Sequence, residues 1–335
     1  MRLLCGVVAA SSFLTVLVGD ASLSARPMER VARPLRLMGA NVQTADGHPP
    51  ITIRGAPLRG VEVEPSVPSA QVKGAILLAG AAAEGATTVS ETVGTRDHTE
   101  RALEALGAPL TTAGGRITID GPFQHGGFTG VVPGDLSSAA FLIAAAAITG
   151  GELTLPEVGV NPSRLHVLEV LRRMGVIVEI RVEGEEVGEP VGTIRAGAVD
   201  GFRAVEVAPE ELPLVIDEVP ALVALAVHAP GRSRFAGAGE LRVKESDRLS
   251  TLVDGVRSLG GEATVEGEDL LVRGGRLPGG SASSAGDHRI GIALAVASLA
   301  ATGPSMIDGM EAAAVSFPGF VRSLIELGAD VESRT

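Results

Sequence analysis

Hydrophobic and polar positions recur along this chain in a unit of about forty residues. In each copy an Ala-, Val- and Leu-rich run passes through a glycine to a β-branched run. A polar loop, an amphipathic stretch ending at Leu-Gly or Met-Gly, and a further β-branched run follow. Runs that are apolar on every side, such as residues 139–148 and 221–227, predict buried helices. The glycines predict helix C-caps, and alternating stretches such as "ITIRG", "VEVEP" and "ITIDG" predict strands.

Five copies of this pattern can be aligned, and "SSAAFLIAAAAITGGELTLPEVGVNPSRLHVLEVLRRMGVIV" is representative. They predict a mixed α/β protein built from repeated units, with helices buried inside its lobes. The first copy opens at Met1, within the apolar run that begins every copy. We therefore expect the first unit to be incomplete and the sequence to start inside a longer protein.

The apolar opening "LLCGVVAASSFLTVLVG", followed by "SLSA", also imitates a secretory signal peptide with its cleavage site. The alternative is a helix and strand that belong to the fold. The internal copies favour this alternative, because the same helix-glycine-strand segment recurs far from the N-terminus.

Composition narrows the classes of function. A chain of 335 residues suits about two domains. Its net charge of −12 argues against nucleic acid or an anionic membrane as the main partner. With no Trp or Tyr, the core must consist largely of Ala, Val, Leu and Ile. Cys5, the single cysteine, excludes an internal disulfide framework and a Cys-rich metal site, and is compatible with a reducing cytoplasm.

Charged and hydroxyl side chains gather at one point of the repeat, the loop that leads into the amphipathic helix. Examples are "TRDHTER" and "RVKESDR". Free N–H groups at a helix start, with arginine beside them, can bind phosphate or carboxylate, although a capped, solvated helix start is an equal alternative. A second set precedes the apolar helices. There "GDLSS" favours capping, whereas Asp217 and residues 287–289 favour function, because charges leading into apolar segments are costly unless they pair or act.

Five ordered motifs give the chain a family resemblance along essentially its whole length. They are "MRLL" with "GDASLSARPMERV", "PSAQVKGAILLAG", "TRDHTE", "IDEVPALVALA", and "LRVKESDRL" followed by "DHRI". Together they resemble 5-enolpyruvylshikimate-3-phosphate synthases (3-phosphoshikimate 1-carboxyvinyltransferases), which act in the shikimate pathway and are the target of glyphosate. The Arg-Val-Lys-Glu-Ser-Asp-Arg-Leu string is highly specific.

The resemblance implies an α/β (α+β) fold, the two-domain enolpyruvyl transferase fold of βαβαββ units with inside-out, barrel-like domains. Five of six units would be present. It implies an N-terminal lobe over residues 1–130, a C-terminal lobe over residues 131–335, and an active site in the cleft between them. It also implies a cytoplasmic enzyme that acts on small molecules, needs no metal or organic cofactor, and is a monomer when full length.

The family transfers the enolpyruvyl group of phosphoenolpyruvate to the 5-hydroxyl of shikimate 3-phosphate and releases phosphate. By resemblance, the phosphoenolpyruvate ligands are Arg26, Gln71, Arg248 and Arg289. The shikimate 3-phosphate ligands are Ser69, Ala70, Gln71, Arg96, Asp217 and Lys244. Asp217 corresponds to the base that removes the hydroxyl proton and Glu245 to the group that protonates the methylene carbon. His288 assists by its position or makes a structural hydrogen bond.

The sequence departs from the family pattern in two respects. A Gly-(Asp/Ser)-Lys-Ser loop and an Asn-x-Gly-Thr segment are expected before Met1, and their absence predicts impaired activity of this chain. Gly286 stands where an Asn is common in the family, and Val315 stands where some members have a Lys. Two alternatives therefore stand beside the synthase. One is a UDP-N-acetylglucosamine enolpyruvyltransferase, which typically uses a loop cysteine that Cys5 does not resemble, and the other is a non-catalytic remnant.

Overall fold

The structure, a computed structural model, describes residues 1–197 and 201–333. By the density of their contacts these residues form two compact units. Unit 1 comprises Met1–Val132 with Glu185–Glu189, and unit 2 comprises Pro133–Gly184 with the chain from Pro190 onwards.

Unit 1 alternates helices with short strands, as the repeat predicts. Its elements are α1 (Arg2–Val8), β1 (Leu14–Leu17), α2 (Ala21–Ser24), α3 (Glu29–Leu37), β2 (Asn41–Ala45), β3 (His48–Arg54), β4 (Glu62–Val63), α4 (Ala70–Gly80), β5 (Gly85–Ser90), α5 (His98–Ala105), β6 (Leu110–Ala113) and β7 (Arg116–Gly121). An antiparallel sheet has the order β1-β3-β2, and a mixed sheet has the order β4-β5-β7-β6.

Unit 2 continues the same alternation. Its elements are α6 (Leu136–Thr149), β8 (Glu152–Gly159), α7 (His166–Arg173), β9 (Ile177–Glu186), β10 (Glu189–Gly197), β11 (Glu206–Val207), α8 (Leu212–Val215), α9 (Val219–Ala226), β12 (Gly231–Phe235), α10 (Arg248–Ser258), β13 (Glu262–Glu266), β14 (Asp269–Gly274), β15 (Ser281–Ser283), α11 (His288–Ser298), β16 (Met306–Asp308) and α12 (Phe320–Glu326). The tip of the β9–β10 hairpin is counted with unit 1. The 3-10 helices are Pro162–Arg164, Ala238–Val243 and Met310–Val315.

Two sheets show the repeat most directly. The sheet β11-β12-β14-β13 has the same strand order and the same parallel and antiparallel senses as β4-β5-β7-β6. Each is formed by one βαβαββ unit. The predicted mixed α/β repeat is therefore confirmed.

The helices predicted to be apolar on every side are the buried ones. Most residues of α4, α6 and α11 and all residues of α9 are buried, and α6, α9 and α11 pack against one another inside unit 2. Burial of the whole helix circumference explains the Ala-rich composition, because small side chains let helices approach closely. At the contact of α1 with α4, a Cβ on Gly6 would lie 2.1 Å from the carbonyl oxygen of Ala75.

Glycine ends the amphipathic helix of every copy. The five glycines that follow α3, α5, α7, α10 and α12 have positive φ, and they are Gly39, Gly107, Gly175, Gly260 and Gly328. A left-handed residue at this position satisfies helix carbonyls and suits glycine, which has no Cβ. The predicted C-caps are therefore confirmed.

The apolar opening of the sequence belongs to the fold. Residues of α1 pack on α4, and β1 pairs with β3, so that Leu14 lies opposite Arg54 and Leu17 opposite Ile51. Cys5 and Ala9 are wholly buried in the core of unit 1. Among the described residues, no helix combines the length and apolar character needed to cross a membrane.

Candidate active site

The shikimate 3-phosphate residues predicted in unit 1 cluster near the start of α4. Ser69 is the N-cap of this helix and accepts a hydrogen bond from the Val72 amide at 3.4 Å. Ala70 and Gln71 form its first turn. This turn is exposed at Gln71 while the helix behind it is buried, so the rigid core holds polar groups at a helix N-terminus, where N–H groups suit an anion.

Arg2 is a further cation beside this turn that the sequence analysis did not single out. Its Nη1 donates to Gln71 Oε1 at 2.9 Å, and its Nη2 donates to the Pro27 carbonyl at 3.3 Å. Burial first, and then the charges of Arg30 and Arg26, lower the pKa of Arg2. Mutual repulsion of this kind favours binding of an anion. An arginine at the start of an otherwise apolar helix was the signal available in the sequence.

Arg26 and Arg96 occupy loops of unit 1. Arg26 follows α2 and donates its amide to the Leu23 carbonyl at 3.1 Å. Arg96 is half-buried in the loop between β5 and α5. The charge of Arg26 acts on Arg2, and Arg2 contacts Gln71, so two of the predicted phosphoenolpyruvate ligands share one neighbour.

In unit 2 the site residues meet around Arg248, the first residue of α10. This side chain is fully buried. Its Nε donates to Asp287 Oδ2 at 2.8 Å and its Nη2 lies 2.5 Å from Glu245 Oε2. Its Nη1 is also buried, and no hydrogen-bond partner for it occurs among residues 1–197 and 201–333. A buried donor without a partner is costly, and a ligand oxygen would satisfy it.

Asp287 connects this arginine to α11. It is the N-cap of α11 and accepts from the Arg289 amide at 2.9 Å and from Ser246 Oγ at 3.0 Å. Burial acts to raise its pKa, but the hydrogen bonds and the charge of Arg248 outweigh burial, and the pKa of Asp287 lies below its ordinary value. The carboxylate therefore stays ionised and holds the starts of α10 and α11 together.

Asp217 lies in the turn between α8 and α9 and contacts Arg289, another predicted ligand. Arg289 Nη1 donates to the Asp217 carbonyl oxygen at 2.7 Å. The neighbouring Glu218 is buried, and its Oε1 accepts from Arg164 Nη2 at 2.9 Å and from the Ser137 hydroxyl. These contacts fix the backbone of Asp217 on both sides.

Lys244 and His288 flank the cluster in sequence. Lys244 Nζ lies 3.1 Å from Glu240 Oε1. The pKa of His288 is lowered, mainly because burial disfavours the imidazolium and then because of the charge of Arg289. His288 is therefore a neutral imidazole at neutral pH. Asp247 caps α10 through the Ser250 amide, and Asp135 caps α6 through the amides of Ser137 and Ser138, as expected for capping residues.

Sequence reasoning overlooked several buried or partly buried polar residues near the predicted ligands. They include Arg2, Lys73, Glu91, Glu100, Arg164 and Glu218. Within residues 1–197 and 201–333, no group of three or more His, Cys, Asp or Glu side chains could hold a metal ion.

Known proteins resemble this chain in both sequence and structure. The profile of the EPSP synthase (3-phosphoshikimate 1-carboxyvinyltransferase) family matches residues 1–324. A 3-phosphoshikimate 1-carboxyvinyltransferase of Halorhodospira halophila is 48% identical over 339 residues, which cover 99% of this chain and 76% of the relative. That of Nitrosococcus oceani is 45% identical over 324 residues, covering 96% of this chain and 73% of the relative.

A solved EPSP synthase from Acinetobacter baumannii has a TM-score of 0.89 and 42% identity, and the alignment covers 100% of this chain and 78% of that one. This likeness confirms the predicted two-domain α/β fold of the enolpyruvyl transferases. By sequence and by structure, the chain belongs to the EPSP synthase (3-phosphoshikimate 1-carboxyvinyltransferase) family.

Proposed function

We propose that this chain transfers the enolpyruvyl group of phosphoenolpyruvate to the 5-hydroxyl of shikimate 3-phosphate and releases inorganic phosphate. Membership of the family supports this reaction. The observation that carries the proposal is Arg248, which is buried between Asp287 and Glu245 and keeps an Nη1 group without a partner among the described residues.

Phosphoenolpyruvate suits such a group because it carries both a phosphate and a carboxylate. Guanidinium forks bind these planar or tetrahedral anions through paired N–H groups. In the proposal Arg248 and Arg289 bind phosphoenolpyruvate from unit 2, and Arg26 and Gln71 bind it from unit 1. The hydrogen bond from Arg289 to the Asp217 carbonyl supports a coupling between phosphoenolpyruvate binding and the position of the base.

Shikimate 3-phosphate is proposed to bind both units. Its ligands are Ser69, Ala70, Gln71, Arg96, Asp217 and Lys244. The helix N-terminus at Ser69 and the half-buried Arg96 support an anionic group on the unit 1 side. Asp217 and Lys244 then contact the sugar hydroxyls, for which a carboxylate acceptor and an ammonium donor are suitable.

Two acid/base groups account for the addition and elimination steps. Asp217 takes the proton of the 5-hydroxyl while the oxygen of that hydroxyl bonds to C2 of phosphoenolpyruvate. Glu245 gives a proton to C3. In the second step the Glu245 carboxylate takes a proton back from C3, the double bond between C2 and C3 re-forms, and the bond from C2 to the phosphate oxygen breaks, so that phosphate leaves. Each proton transfer by a positioned carboxyl group contributes about 10²–10⁴-fold to the rate. His288 is proposed to assist as a neutral hydrogen-bonding group next to Arg289.

The proposal includes the setting of the enzyme. We propose a cytoplasmic monomer that uses small anionic substrates without a metal or organic cofactor, and without a nucleic acid or membrane partner. The net charge of −12 supports the exclusion of polyanionic partners, and light scattering after size-exclusion chromatography tests the monomer.

A coupled phosphate-release assay with both substrates tests the reaction. We expect the chain to release phosphate only when both substrates are present. Asp217→Asn and Glu245→Gln should each lower kcat by about 10²–10⁴-fold with a small change in KM. Asp254→Asn, an exposed change in α10, is the control. Phosphate release with UDP-N-acetylglucosamine instead of shikimate 3-phosphate, or none with either acceptor, would refute the proposal.

A further inference from the structure

Lys73 is a buried cation that the proposed reaction does not use. It lies in the first turns of α4, two residues after Gln71, and only 1% of its surface is exposed. The helix around it is apolar and buried. An ammonium group in such a place is tolerated only when carboxylates pair with it.

Three partners take up the three hydrogens of this ammonium. Lys73 Nζ lies 2.9 Å from Glu91 Oε2 and 2.6 Å from Glu100 Oε1, and it donates to the Thr95 carbonyl at 3.4 Å. Glu91 directly follows β5, and Glu100 lies in the first turn of α5. The ammonium group therefore ties α4 to both ends of the loop that joins β5 to α5.

Thr95, which lies in this loop, is hydrogen-bonded to the network through both its side chain and its backbone. Its hydroxyl donates to Glu91 Oε1 at 2.5 Å, its amide donates to Glu91 Oε2 at 3.5 Å, and its carbonyl accepts from Lys73. All three polar groups of Thr95 are thus engaged by one ion-pair network. Arg96 is the next residue, so its backbone is held one peptide away from the network.

A gain in stability does not explain this arrangement. Replacement of a buried ion pair by apolar residues of similar volume is often neutral or stabilising, because pairing seldom repays the loss of hydration. The best-attested role of such pairs is to specify one geometry among several. Here the geometry that is specified is the position of the loop against the N-terminus of α4.

We infer that Lys73, Glu91, Thr95 and Glu100, the Lys73 network, are positioning residues that hold Arg96 at a fixed place relative to Gln71, and so prepare unit 1 for shikimate 3-phosphate. This inference rests on the proposed function. The network acts through Arg96 and needs no contact of its own with the substrate. A phosphate contact depends steeply on such alignment, because a displaced guanidinium loses paired hydrogen bonds.

A double-mutant cycle between Thr95 and Arg96 tests the inference, with calorimetric titration of shikimate 3-phosphate as the readout. Thr95→Val keeps the side-chain shape and removes the hydroxyl. We expect it to weaken binding about tenfold, as for the loss of a hydrogen bond to a charged group. Arg96→Ala should weaken binding more, about 10²-fold. The double variant should bind like Arg96→Ala alone, because Thr95 acts through Arg96.

Matched variants separate positioning from general damage. Thr95→Ser keeps the hydroxyl and should restore the affinity of the unaltered chain. Thr92→Val changes an exposed threonine of the same loop and should leave the affinity within about twofold. Additive losses in the double variant, or an unchanged affinity in Thr95→Val, would overturn the inference.

Hydrogen exchange measured by mass spectrometry gives a readout that needs no substrate. Amides of residues 94–98 should exchange faster in Thr95→Val than in the unaltered chain and in Thr95→Ser. Equal exchange in all three would show that the network does not order the loop. If the unaltered chain binds no shikimate 3-phosphate, the substrate assignment fails, and the exchange rates still decide whether the network orders Arg96.

Discussion

Lys73 in unit 1 and Arg248 in unit 2 are both buried cations between two carboxylates, but they differ in what they leave unbonded. Lys73 directs its three N–H groups to Glu91, Glu100 and the Thr95 carbonyl. Arg248 contacts Asp287 and Glu245 and keeps a buried Nη1 without a partner among the described residues. A cation whose donors are all used can only hold protein, whereas one with a spare donor can also bind a ligand.

The carboxylates of the two clusters also differ, because their pKa values are shifted in opposite directions. Burial is the largest single influence on both carboxylates and acts to raise both pKa values. It raises the pKa of Glu100 despite Lys73, whereas the hydrogen bonds that Asp287 accepts and the charge of Arg248 together hold the pKa of Asp287 below its ordinary value. Arginine delivers several N–H groups to one carboxylate in a fixed plane, and a lysine ammonium is a compact point charge. The better-bonded carboxylate therefore belongs to the cluster that we assign to substrate binding.

Asp287→Ala should give the largest effect, because it leaves Arg248 buried without its main partner. We expect a loss of about 3–5 kcal/mol in the free energy of unfolding. Urea unfolding followed by far-UV circular dichroism measures it, since the chain has no Trp or Tyr. Glu326→Gln, which breaks the exposed pair with Arg322, is the control and should cost less than about 1 kcal/mol. A similar loss of unfolding free energy in Asp287→Ala and Glu326→Gln would show that the buried pair of Arg248 with Asp287 is no more important than an exposed pair.

Lys73→Met should cost about 3 kcal/mol at pH 7, because Glu91 and Glu100 then face each other without a cation. Part of this loss should be regained at pH 5, since a carboxylate can bind a proton and become neutral. Asp287→Ala should regain nothing on the same acidification, because the group left without its partner is a guanidinium, which is already protonated and stays charged. Unfolding of both variants at the two pH values compares them, and equal recovery would contradict this account.

The opposite pKa shifts predict opposite dependences of stability on pH. The pKa of Glu100 in the folded protein is raised above 4.5, so its contribution is full below that pH and is lost as pH rises through the raised value. The pKa of Asp287 is lowered below 3.8, so its contribution is present above that pH and is lost as pH falls through the lowered value.

Glu100→Gln should therefore become more stable relative to the unaltered chain as pH rises, and Asp287→Asn should become less stable relative to it. The unfolding free energies of the three proteins between pH 3 and pH 7 measure this. Parallel curves for the two variants would show that the carboxylates are not distinguished by their surroundings.

Asp247→Ala should have the smallest effect, about 1 kcal/mol, because it removes the side-chain N-cap of the helix that begins with Arg248. Asp254→Ala, an exposed change in the same helix, should change stability by less than about 0.5 kcal/mol. Thermal unfolding by circular dichroism compares the pair. Equal stabilities would mean that α10 is positioned by the Asp287 contacts alone.

Local patterns predicted the fold because the fold is built from local units. Hydrophobic periodicity located the buried helices, and the glycine after each amphipathic stretch proved to have positive φ, as at Gly39 and Gly260. Both features depend on residues a few positions apart. The five-motif resemblance identified the family, which the comparisons confirm.

The polar clusters could be predicted only in part, because their partners are far apart in sequence. Glu245 and Arg248 are three residues apart and share one motif, but Asp287 joins them across 39 residues of chain. The partners of Lys73 lie 18 and more residues away, and a lysine in an apolar helix is usually solvated at its tip. The sequence feature that could have indicated burial of Lys73 is the apolar helix around it, "AQVKGAILLAG".

The wholly buried Cys5 can report on the contact between α1 and α4 through its rate of chemical modification. Burial raises the pKa of this thiol to about 11, so little thiolate forms at neutral pH and a reagent must wait for α1 to detach. Since the sequence has one cysteine, a single alkylation event records one such opening. The rate of modification therefore measures how often α1 separates from α4, and α1 is the helix whose Arg2 contacts Gln71.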